Sequence, residues 1–275
     1  MAHVAVGPRN VACFIVGIVA NAAFNGHLRP EPAVTRRRLR HVCLVTDPAR
    51  SLSETMRVIE LGTSVVADSV KCSDLQVQWT VQLRHKNASC MQLLDEACAL
   101  RHVTRRVGAW LVVNGSLHVA KEAQADGVHY PGASEEVSLA TRVAQARREL
   151  GEHAWVTTPA HNDHDVEEAC RAGANAAYVS PIYDSPGPGK AQARGTEALR
   201  RARQWLESMP LHDASACEHL VLRRGRMLVY ALGGITPPRA AECVAAGADG
   251  VAAIRGFYDA NADDWKVLAR GLLCE

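Results

Sequence analysis

The sequence predicts an α/β fold: a (β/α)8 TIM barrel forming one domain behind an N-terminal extension. Three observations carry that expectation. Eight short apolar runs succeed one another between residues 42 and 254, helix-compatible segments separate most of them, and a small-residue turn recurs ahead of several runs. Alternating strand and helix patterns imply right-handed βαβ units around a parallel sheet. A chain of 275 residues is long for an average domain and ordinary for such a barrel.

In chain order, residues 1–40 form the extension. Its stretch VACFIVGIVANAAF, residues 11–24, follows Arg9 and carries Ala20-Asn21-Ala22. That pattern resembles the apolar region and cleavage site of a signal peptide, yet it is short for a membrane span. A non-native extension, or a helix packed on the barrel, are the alternatives. The basic run TRRRLR, residues 35–40, is expected to be a solvated lead-in.

The barrel is assigned to residues 41–275. Its expected strands are VCLVT (42–46), VQWTVQL (77–83), AWLVV (109–113), GVHY (127–130), AWVTT (154–158), AAYVS (176–180), MLVYAL (227–232) and GVAAI (250–254). Helix-compatible segments include 134–150, 165–173 and 237–247. AQADGVHYPG, AGANAAYVSP and AGADGVAAIRG form a weak internal repeat in which a helix ends, small residues turn and a strand begins. The polar stretch 211–226 is expected to be a surface insertion without chemistry.

Composition narrows the function classes. With 48% hydrophobic and only 5% aromatic residues, the core is expected to be aliphatic. A net charge of +2 gives no reason to expect nucleic acid or a membrane as partner. Nine cysteines, scattered without a CxxC or a Cys/His cluster, imply reduced thiols in a cytoplasm, most of them small core residues. A homo-oligomer stays open.

Barrel chemistry sits where the strands finish. Those positions hold Asp47, then Gln82-Leu83-Arg84-His85-Lys86, Asn114-Gly115, His129-Tyr130-Pro131, His161, Tyr183-Asp184, Gly233-Gly234 and Ile254-Arg255-Gly256. Cations and amides outnumber carboxylates, so an anionic ligand is expected. Alternation places Gln82, Arg84 and Lys86 on one face toward the mouth, a set suited to phosphate oxygens. Gly233 and Gly234 within YALGGITPP, with Ile254 and Arg255, are expected to cradle a phosphate monoester through bare backbone.

The segments LVTD, VQLRHK, LVVNG, ADGVHYP, SPIY, ALGGI and GADGVAAI occur in order, and together they resemble the thiamine-phosphate synthase/TenI family over residues 41–260. The resemblance implies a (β/α)8 barrel and one of two activities. The synthase couples a pyrimidine pyrophosphate to a thiazole phosphate, with Mg²⁺ helping pyrophosphate leave. The TenI branch aromatises a thiazole phosphate carboxylate by moving a proton, without metal. Synthases usually follow the strand-three Asn with Asp, whereas Asn114 precedes Gly115; the second usual Asp is Ser134 here, with Glu135 and Glu136 beside it. His161 falls where the TenI branch keeps its proton-transferring His, and imidazole suits that step.

Other positions favour the synthase. Gln82, Arg84 and Lys86 match its pyrophosphate-binding set, although His85 stands where Glu is usual. In the loop 183–195, Ser185 stands for a Thr and Lys190 for a Lys, two residues late. The resemblance thus implies a thiamine-biosynthesis enzyme, TenI-like first, with His161 catalytic and no cofactor. Gln82, Arg84, Lys86, Asn114, His129 and Lys190 are its expected substrate-binding residues. The alternatives are a Mg²⁺-using synthase and a non-catalytic phosphate-ligand binder or regulatory protein.

Overall fold

A computed structural model of the protein describes residues 38–132, 137–184, 191–209 and 226–274. Eight parallel strands close in sequence order: β1 (Arg38–Val45), β2 (Leu75–Leu83), β3 (Trp110–Asn114), β4 (Gly127–His129), β5 (Trp155–Ala160), β6 (Ala176–Val179), β7 (Leu228–Ala231) and β8 (Gly250–Ala253). Each expected run is a strand. The largest difference lies in β1, which begins at Arg38, inside the basic run expected to be solvated. Arg38, Leu39 and Arg40 pair with Leu75, Gln76 and Val77, and Arg40 is buried with a guanidinium nitrogen on the Cys274 carbonyl. Strand pairing satisfies the backbone there, and the carbonyl takes one guanidinium nitrogen that water would otherwise hold.

The connecting helices are α1 (Leu52–Val70), α2 (Cys90–Val107), α3 (Leu117–Glu122), α4 (Leu139–Leu150), α5 (Asp163–Arg171), α6 (Glu197–Ser208), α7 (Ala240–Ala245), α8 (Arg255–Tyr258) and α9 (Ala262–Leu272). Their starts are written locally: Ser51, Ser89, Asn162 and Asn261 each close a reciprocal capping box with the residue three places on. Residues 237–247 split into a single 3₁₀ turn, Pro237–Arg239, and α7, because Pro tolerates only the first helical turn. Most of the insertion, residues 210–225, lies outside the described residues. Among the described residues no helix is long and apolar enough to cross a membrane.

Two cores follow from the twofold strand alternation. The outward faces, with Leu44, Val81, Leu83, Leu111 and Val113, pack under the helices and are aliphatic as expected. The lumen is different. It holds Cys43, Val112, Trp155, Tyr178 and Tyr230, with Trp110 packed against them. His41 lies 5.6 Å from Trp155 and 5.4 Å from Tyr230, and Tyr178 lies 5.1 Å from Tyr230 and 5.0 Å from His129. Large rings fill the axis. They fit because Gly127 and Gly250 leave room: a Cβ on Gly250 would sit 2.7 Å from that of His41.

The weak sequence repeat has a structural role. Asp126, Asn175 and Asp249 each accept the backbone N–H of the preceding strand, at Leu111 (2.7 Å), Val156 (2.8 Å) and Val229 (2.9 Å). Arg101 from α2 grips Asp126 with two nitrogens, and Arg203 from α6 pairs with Asp249. Each polar side chain therefore ties the bottom of one strand to the next. The cysteines depart from expectation: of the described ones, Cys43 and Cys243 are buried, while Cys72, Cys90 and Cys98 are exposed on or near helices.

Candidate functional site

The C-terminal mouth of the barrel gathers most of the residues singled out from the sequence. On the β2 side, Gln82 points inward, is 2% exposed, and its Oε1 has no hydrogen-bond partner. An unsatisfied buried amide oxygen costs about 1–3 kcal/mol. β2 ends one residue later, where the Thr46 hydroxyl of the adjoining β1 loop accepts the Arg84 N–H at 2.8 Å. Arg84 is half-buried. The alternation argument stops there, and Lys86 is corrected accordingly: it lies in an exposed turn after the strand. His85 turns to the α2 side, pairing with Glu96 at 2.8 Å.

β4 delivers His129, which is fully enclosed. Its Nδ1 lies 2.9 Å from the Thr157 hydroxyl on β5. Burial, reinforced by the Arg84 charge, lowers its pKa to about 3, so the ring is neutral at physiological pH. The Arg84 effect places the two side chains in one electrostatic neighbourhood. Thr157 had no signal of its own, because only the register of β4 on β5 puts it opposite His129. Asn114 ends β3 directly opposite His129, and Gly115 donates its N–H to the His129 carbonyl at 2.9 Å.

His161 follows β5 and precedes the α5 cap. Its backbone N–H donates to Asp165, and its Nδ1 lies 3.2 Å from the Ser180 carbonyl and 3.3 Å from the Ser180 hydroxyl. The ring is exposed at the mouth beside the cis Ser180–Pro181 bond. Lys190, like Ser185, lies outside the described residues, as do Ser134, Glu135 and Glu136.

The seventh and eighth loops meet. Gly233 and Gly234 both have positive φ, 93° and 62°. They also pack tightly on the loop after β6: a Cβ on Gly233 would lie 2.7 Å from Pro181, and one on Gly234 2.8 Å from the Asp184 carbonyl oxygen. Only glycine meets both demands. Gly256, in the first turn of α8, closes against the Ile235 carbonyl, which brings the Ile254-Arg255 turn beside the glycine pair. Tyr258, also from α8, reaches β1, where its hydroxyl accepts the Asp47 N–H and meets Thr55 at 2.8 Å. No sequence pattern announced that contact.

The synthase among the two implied activities uses Mg²⁺, and the described donors alone do not supply its site, residues 134–136 lying outside the described residues. Mg²⁺ asks for octahedral oxygen donors, including one or two carboxylates. Asn114 offers one amide oxygen, Gly115 offers no side chain, and no group of three His, Cys, Asp or Glu converges among the described residues.

A thiamine-phosphate synthase of Chloroflexus aurantiacus is 35% identical over 193 residues, covering 70% of this chain and 76% of that protein. One from Methanocella arvoryzae is 32% identical, covering 83% of this chain and 91% of its own. The thiamine phosphate pyrophosphorylase structure from Pyrococcus furiosus has the same fold, with a TM-score of 0.56 at 21% identity over 86% of this chain and 96% of its own. Residues 42–257 match the family described as thiamine monophosphate synthase, and with these relatives and this barrel the chain belongs to that family.

Proposed function

We propose that the chain is a thiamine-phosphate synthase, joining a pyrimidine pyrophosphate to a thiazole phosphate. The observation that carries the reading is the half-buried Arg84 cation at the end of β2, two residues after the buried Gln82, whose amide can turn its N–H₂ toward an anion. Those residues match the synthase's pyrophosphate-binding set. The sequence put the tautomerase first on the strength of Gly115 and Ser134, but the relatives described above carry the synthase name.

In this reading the thiazole nitrogen forms a bond to the pyrimidine methylene carbon as the carbon–oxygen bond to pyrophosphate breaks. Gln82 and Arg84 hold the departing group, and Arg84 offsets charge that grows as it leaves. The backbone of Gly233–Gly234 and of Ile254–Arg255 holds the thiazole's phosphate. His129, kept neutral, presents an uncharged edge beside Arg84 and does not compete with it for the anion. The test is pyrophosphate release from the two substrates in the presence of Mg²⁺. One pyrophosphate per thiamine phosphate formed is expected. Absence of release from a protein that still binds thiazole phosphate overturns the synthase.

A specific observation favours a second reading, a TenI-like thiazole tautomerase. His161 has Nδ1 against Ser180 and its ring exposed at the mouth, an arrangement suited to moving a proton. Aromatisation followed optically is expected to fall by about 10²–10⁴-fold in His161→Ala, the usual contribution of a general acid–base group. An unchanged rate removes His161 from the chemistry.

A further inference from the structure

The carbonyls of the glycine pair are both engaged, one by backbone and one by a side chain. The Gly233 carbonyl accepts the Tyr183 N–H at 3.0 Å. The Gly234 carbonyl accepts from Arg239, which follows the loop in the 3₁₀ turn Pro237–Arg239. In a trans peptide the N–H points opposite to the C=O of the same unit. Fixing the Gly233 carbonyl therefore aims the Gly234 N–H the other way, and fixing the Gly234 carbonyl does the same for the Ile235 N–H. Neither amide donates to an acceptor among the described residues.

Arg239 is held in turn. Its guanidinium lies 4.3 Å from the centre of the Tyr183 ring. The Tyr183 hydroxyl donates to Glu242 at 2.7 Å, and Glu242 belongs to α7, the helix that the loop feeds. Tyr183 thus touches the loop three ways: by its N–H, by its ring under Arg239, and by its hydroxyl on α7. A glycine pair with positive φ has broad backbone freedom, and a loop left free would lose entropy on binding an anion. A stacked, doubly anchored guanidinium removes that freedom beforehand.

We infer that Arg239 and Tyr183 are positioning residues, which orient the Gly234 and Ile235 amides toward the substrate's phosphate without touching it. The inference rests on the reading of this loop as the thiazole phosphate cradle, and it holds for either activity, since both bind that group. Calorimetry with thiazole phosphate and with the same thiazole as its free alcohol separates the two claims. The wild-type protein is expected to bind the phosphate ester more tightly. In Arg239→Met that preference should shrink about tenfold, equivalent to about 1.4 kcal/mol, with the Kd of the alcohol and the melting temperature unchanged. Arg239→Lys, which keeps a donor but not the flat stack, should recover part of the preference. A wild-type protein indifferent to the phosphate overturns the cradle reading and the inference with it. A wild-type preference retained in full by Arg239→Met overturns the positioning role alone.

Discussion

Asp249→Ala is expected to lower the unfolding free energy by about 3 kcal/mol, within the range for breaking a buried pair from one side. Asp249 has a side chain only 1% exposed, pairs with Arg203, and accepts the Val229 N–H at 2.9 Å. Alanine leaves that N–H orphaned inside the barrel, about 1–3 kcal/mol by itself. Arg203 keeps its two bonds to the Gly247 carbonyl, at 3.0 and 2.8 Å, so the loss stays below the extreme. Asn175 performs the same strand-tying task as an uncharged amide, bonded to Val156. Asp249→Asn should therefore recover the backbone part and about half of the loss. Denaturant melts with a common m-value are the measurement. A change under about 0.5 kcal/mol in Asp249→Ala, the size of an ordinary surface substitution, would show that the tie is not structural.

Stability should also fall steeply as the solution is acidified from neutral. His41 is 1% exposed among Trp110, Trp155 and Tyr230, and neither ring nitrogen has a partner. Burial lowers its pKa from 6.5 to about 4, against a smaller upward pull from Asp249. His129 is lowered to about 3, chiefly by burial. The unfolded chain takes up protons at both histidines near 6.5, while the folded barrel refuses them until far lower. Both contributions are complete above pH 6.5 and are lost as pH falls toward about 4 and about 3. Each unit of pH in that window costs about 1.4 kcal/mol per histidine. Between about pH 7 and about pH 4.5 the two together cost on the order of 5 kcal/mol. Carboxylates held low by their partners, Asp163 with Arg201 and Arg194 among them, add their losses mainly below that window. The discriminating variant is His41→Phe, which keeps a ring in the box and should remove about half of the slope above about pH 4.5. A slope equal to wild type would take His41 out of the explanation.

Much of the fold was legible because its signals are local. A buried parallel strand reads as a short apolar run, and every such run is a strand here. Arg38–Arg40 were missed because a strand's first charged residues look like a solvated lead-in until partners at Leu75–Val77 are known. Lys86 failed for the converse reason. Alternation continues on paper past Leu83, but the Thr46 hydroxyl ends β2 by capturing the Arg84 N–H. The glycine pair was legible as a requirement for bare backbone. That the requirement includes Pro181 and Asp184 packing against it was not.

The sequence by itself determined the barrel and the order of its strands. Periodicity and turn residues act over a few positions, and closure follows from the repeat. The tertiary structure alone decided which side chains meet: Thr157 with His129, Tyr258 with Asp47, Arg239 with Tyr183 and Gly234. It also decided that aromatic rings and two neutral histidines fill the lumen. Those choices depend on register and on volumes across the barrel, which are properties of strands far apart in the chain.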